Sequence, residues 1–79
     1  KQERLESLNW SINYYLRQLK DKVAFGYINA NQMSKALAII QKLLQFIALY
    51  IRDENDYKTT EDMFVAEQEK LNTLLKGCE

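Results

Sequence analysis

Between Met33 and Ile51 the chain sets two adjoining rows of apolar residues on a helical period, and nothing else in its 79 residues constrains the fold as tightly. One row is Met33, Leu37, Ile40, Leu44, Ile47 and Ile51; the other is Ala36, Ile39, Leu43, Phe46 and Tyr50. At about 100° per residue the two rows cover about half of a helix, leaving Ser34, Lys35, Ala38, Gln41, Lys42, Gln45 and Arg52 on the remaining side. A single partner helix would leave one row wet. The pattern therefore predicts a central helix with neighbours on both flanks.

Those neighbours are legible on either side. Leu5, Leu8, Ile12, Tyr15 and Leu19 fall on one face of a first helix, with Leu16 and Val23 widening the stripe. That helix is expected to stop at Phe25, because Gly26 can occupy the left-handed position beyond a helix end without steric penalty. Asn29 reads as the N-cap of the second helix, with Gln32 three residues on and Ile28 placed to staple onto Met33. So short a connection makes the two helices antiparallel. The polar run Asp53, Glu54, Asn55 and Asp56 reads as the second turn. A third helix then starts between Tyr57 and Glu61, capped by Asp56, Thr59 or Thr60. Its stripe is Tyr57, Phe64, Leu71, Leu74, Leu75 and Cys78, interrupted at Glu67 and Gln68, and Gly77 is its natural stop. The expected fold is all-α, one domain over 1–79, an up-down-up three-helix bundle with helices at about 3–25, 30–52 and 58–76. The rival is a helical hairpin dimerising into a four-helix bundle, which the broad face of the second helix would also serve.

Composition supports this class and removes others. A hydrophobic fraction of 47% with five tyrosines argues against disorder, and no proline with two glycines lacks the punctuation of an all-β chain. The chain opens at Lys1 without methionine, as expected of a processed product or an excised part of a longer protein. The apolar run from Ala36 to Ile51 is broken by Gln41, Lys42 and Gln45, short of the ~18 uninterrupted residues of a membrane span, so no span is expected. Cys78 is the only cysteine, which excludes an internal disulfide, fits a reducing compartment and leads us to expect a cytoplasmic protein. With no histidine and one thiol, no zinc site or histidine-based nucleophile is expected, and no cofactor. The acidic turn fails as a calcium loop, since Lys58 stands where glycine is required and Phe64 where a bidentate glutamate is required. Two isolated glycines cannot form a phosphate-binding loop. An enzyme is therefore not expected; it would need Lys22, Glu67 or Gln68 to line a cavity.

Charge is balanced overall but not along the chain. Residues 1–52 carry eight Lys or Arg against three Asp or Glu, and residues 53–79 carry three against eight. An acidic third helix packing beside two more basic ones accounts for this, and an acidic end meeting a basic partner is the functional version. Dispersed basic residues disfavour nucleic acid and membrane surfaces. The clearest departure from simple patterning is Trp10, Tyr14 and Arg17, which fall opposite the first helix's apolar stripe and belong to the residue types enriched at binding hot spots. Either these rings lie across a bundle edge, or the first helix is buried on two sides by a larger fold, or they form a surface that docks another protein or a second copy of the chain. The expected function is a non-enzymatic interaction module using Trp10, Tyr14 and Arg17. The alternative is a small regulator or inhibitor acting through the acidic third helix.

Overall fold

The computed structural model describes residues 2–52 and 57–78, apart from the side chains of Gln2 and Tyr57. It consists of α1 (Gln2–Ala24), α2 (Ala30–Arg52) and α3 (Tyr57–Lys76), with no strand among the described residues. The three helices pack as an all-α bundle whose principal extents are 42 × 19 × 15 Å. The expected turn at Asp53 to Asp56, and Asp56 as a cap, lie outside the described residues; Thr59 and Thr60 fall inside α3 instead of capping it.

Each described end has an identifiable cause. The Tyr27 N–H donates to the Lys22 carbonyl at 2.9 Å and the Gly26 N–H to the Val23 carbonyl at 3.1 Å, the paired bonds of a Schellman cap. Gly26 sits at φ 71°, the left-handed position the sequence reserves for it, so α1 ends one residue before Phe25. Four residues on, the Asn29 N–H donates to Gln32 Oε1 at 2.9 Å while the Gln32 N–H donates to Asn29 Oδ1 at 2.8 Å, a reciprocal capping box at the start of α2. Ile28 and Met33 both pack against the core from here. At the other end of α3, Gly77 is not left-handed; its N–H reaches the Thr73 and Leu74 carbonyls at 3.2 Å, and the helix unwinds without needing glycine's freedom.

The core forms chiefly between α2 and α3, which share far more of their surfaces than α1 shares with either. Ala36, Leu43 and Tyr50 of α2 and Phe64 and Leu71 of α3 are almost completely enclosed, with Ile40, Ile47, Leu75 and Cys78 beside them. From α1, Leu8, Ile12 and Leu19 close the third side. The interruption in α3's stripe is accommodated: Glu67 is buried, yet its carboxylate is answered by Lys70 Nζ at 3.2 Å and Lys42 Nζ at 3.9 Å. Cys78 is also enclosed, its Sγ donating to the Leu74 carbonyl at 3.2 Å.

Three of the eleven residues in the two expected α2 rows are exposed instead of buried. Leu37, Leu44 and Ile51 are 51%, 52% and 53% exposed, although their row neighbours Ile40 and Ile47 are buried. On α1, Leu16 and Val23 are exposed as well. Two ion pairs explain the geometry. Arg4 of α1 pairs with Glu61 of α3, and Lys42 of α2 pairs with Glu67 of α3, so these mark the α3-facing flanks of α1 and α2. At ~100° per residue, Leu16 and Val23 lie on the opposite flank of α1, and Leu37, Leu44 and Ile51 on the opposite flank of α2. Both flanks border one outer groove between α1 and α2. The α1 side of that groove also carries Asn9, Asn13 and Lys20, all exposed and polar. Where no span is expected from the interrupted apolar run, α2 is, among the described residues, the one helix long and apolar enough to cross a membrane, with a mean hydropathy of 1.4, a test that the core helix of a soluble bundle also passes.

Arg4 and Glu61 are among the few groups that fix α1 to α3. The hydrogen bond from the guanidinium, together with its charge, holds the Glu61 carboxyl below the usual glutamate range and raises Arg4. A depressed carboxyl stabilises the folded chain above its unfolded-state value, and that contribution disappears as pH falls through the folded value. Unfolding free energy measured by urea denaturation should therefore fall on acidification from about pH 6 to about pH 3, and fall less in Glu61→Gln. The glycines should also separate. Gly26→Ala, with no atom near the added Cβ but φ at 71°, should lose about 1 kcal/mol. Gly77→Ala, whose Cβ would meet the Leu74 carbonyl at an ordinary 3.5 Å, should be neutral or gain about 0.5 kcal/mol in the same assay.

Candidate functional site

The face of α1 opposite its core stripe presents Trp10, Tyr14 and Arg17, separated by four and three residues and therefore stacked along successive turns. All three are exposed, Trp10 by 66% and Tyr14 by 44%, so the outward orientation expected from their spacing is the one adopted. The indole and the Tyr14 ring lie nearly parallel, 18° apart with centroids at 5.6 Å, an offset stack that fixes both rings before anything binds. Arg17 and Asn13 complete the walls of an open surface cleft of about 400 Å³ against these rings.

The aromatic surface extends further than the triplet. Tyr14 meets Tyr15 edge-on, at 81° and 5.2 Å, and Tyr15 turns inward to pack against the core. Burial pushes the Tyr15 phenol above its ordinary value, with Tyr14 and Glu69 nearby adding to the shift. The three rings thus form a continuous path from solvent at Trp10 to the junction of α1 with α3. There, a smaller cleft of about 160 Å³ opens between Tyr14, Tyr15, Gln18 and Lys22 of α1 and Asn72, Leu75 and Lys76 of α3. Past the end of α1, Phe25 and Tyr27 stand exposed with centroids 5.8 Å apart, and Lys22 Nζ lies 5.7 Å from the Tyr27 ring centroid, a cation on an aromatic face.

This arrangement offers flat apolar faces, one planar cation and few charges, which suits stacking, apolar burial and bidentate capture of a carboxylate. It contains no base beside a nucleophile. Of the three polar groups through which a catalytic pocket was conceivable, Lys22 lines the smaller cleft, Glu67 is buried beside Lys42 and Lys70, and Gln68 is half-buried. Among the described residues no group of three or more His, Cys, Asp or Glu is placed to hold a metal.

Tyr15 was assigned to the apolar stripe by its spacing, and its second role as a link between the outward rings and α3 had no signal in the periodicity. Phe25 marks the expected helix stop, and nothing in the apolar spacing signals its pairing with Tyr27 across Gly26. No family model, curated protein or solved structure matches this chain.

Proposed function

We propose that this chain is a non-enzymatic protein-interaction module that docks a helix or another protein segment on the Trp10, Tyr14 and Arg17 face of α1. The observation that carries the reading is the pre-stacked, solvent-facing Trp10 and Tyr14 pair beside a guanidinium. Exposing an indole to water forgoes about 2 kcal/mol or more of burial, a loss that docking would recover. Because the two rings already support each other, little side-chain freedom remains to be lost on binding. The reading includes a cytoplasmic setting, in keeping with a lone, reduced and enclosed thiol.

Action through the acidic third helix has less support, because its carboxylates are largely occupied: Glu61 by Arg4, Asp62 by Lys58 at 3.1 Å, and Glu67 by Lys42 and Lys70. Ionic strength separates the two surfaces, since binding through acidic groups weakens steeply with salt and aromatic docking does not.

The double variant Trp10→Ala, Tyr14→Ala should keep wild-type helicity and denaturation midpoint within about 0.5 kcal/mol, because both rings are exposed. Partner affinity, measured on proteins captured by the wild-type chain, should fall at least ~30-fold. Unchanged capture by the double variant would remove this face from the account.

A further inference from the structure

The α2 flank left bare by α1 is a second surface, separate from the aromatic face. Leu37, Leu44 and Ile51 repeat every seven residues and span about 21 Å of helix. Ala38, Gln41, Gln45 and Ala48 lie on the exposed side of the same stretch, small or uncharged throughout. The only charge between Ala36 and Ile51 is Lys42, which sits on the α3-facing flank beside Glu67. We infer that this stripe is a homodimer seam, in which α2 of one copy packs antiparallel against α2 of another across a two-fold axis at Leu44.

Three features select a second copy as the occupant. An uncharged seam of this kind meets itself without like-charge repulsion, and offers nothing for a charged partner to recognise. The heptad is centred on Leu44, so a two-fold axis there sets Leu44 on Leu44 and Leu37 on Ile51, leaving no member of the stripe unmatched. The long axis is also electrically polarised. Arg17, Lys20, Lys22, Lys35, Lys70 and Lys76 occupy the half where α1 ends, α2 begins and α3 ends, against Asp21, Glu67 and Glu69. At the opposite end of the described residues Glu3, Glu6, Glu61 and Asp62 outnumber Arg4, Arg52 and Lys58. Antiparallel packing lays the basic end of each copy beside the acidic end of the other, whereas parallel packing would oppose like ends.

Ala48, one turn along from Leu44, is small enough to permit close approach of the helix axes, within the usual 8–10 Å. Leu16 and Val23 of α1 border the same groove and gain cover from the incoming helix. Chains of fewer than about 80 residues commonly lean on such association for stability. The aromatic faces of both copies stay outside the seam, giving an assembly with two docking faces.

Sedimentation of the full chain at about 50 µM should give close to twice 9.4 kDa. Leu44→Glu, placed at a half-exposed site, should retain wild-type helicity and weaken dimerisation at least ~30-fold. Trp10→Ala, Tyr14→Ala should remain dimeric, which separates this inference from docking on the aromatic face. A second measurement does not depend on the charged variant: a mixture of Leu37→Cys and Ile51→Cys chains, treated with a short bis-maleimide, should cross-link faster than either alone. A monomeric wild-type chain, a Leu44→Glu dimer of unchanged affinity, or mixed cysteines no faster than like ones would each overturn the seam.

Discussion

The contact on which the rest of the molecule depends is the enclosure of one α2 row, Ala36, Leu43 and Tyr50, against Phe64 and Leu71 of α3. These side chains are removed almost wholly from water, each large one contributing about 1.5–3 kcal/mol of burial. For a chain of this size total stability is on the order of 4–12 kcal/mol, so two or three such residues account for much of it. α1 is held more lightly, by Leu8, Ile12 and Leu19 and by the Arg4 and Glu61 pair. That hierarchy explains why α1 bears the aromatic face. A helix fixed along one narrow stripe has most of its circumference free for other contacts.

The helices and their order were readable because each local signal agreed with the global one. Gly26 and Asn29 stop and restart the chain where the apolar spacing changes, and their hydrogen bonds form as those residue types dictate. The outward direction of Trp10, Tyr14 and Arg17 was readable for the same reason, since a face opposite a strict stripe has only one place to go. What periodicity could not give was which α2 row would be covered. Leu44 and Leu43 are adjacent and chemically identical, yet one is half exposed and the other enclosed. The difference lies in where α1 and α3 sit against α2, and a helical wheel drawn for α2 alone contains no trace of it. Glu67 illustrates the converse. A charge that interrupts a stripe reads as a weak point, but Lys42 and Lys70 reach it from two helices and let it remain inside.

The same reasoning links the bundle to the dimeric alternative that the sequence raises. Two adjoining rows on α2 require two layers of cover. α3 and the α1 core stripe supply the first within one chain, and Leu37, Leu44 and Ile51 are the members of the other row left bare. With the proposed seam, the three-helix fold and a paired α2 would be successive steps in covering one helix. On this view the polar residues on α1 keep the outer groove open, and the polarised ends favour an antiparallel mate.

The most direct test compares two neighbouring residues that a sequence pattern treats as equals. Leu43→Ala and Leu44→Ala remove the same atoms, so urea denaturation at a concentration low enough to dissociate any dimer isolates their intramolecular burial. The account predicts a loss of about 3–5 kcal/mol for Leu43→Ala and under about 1 kcal/mol for Leu44→Ala. Equal losses, or a larger one at Leu44, would contradict the assignment of the buried row and the fold built on it.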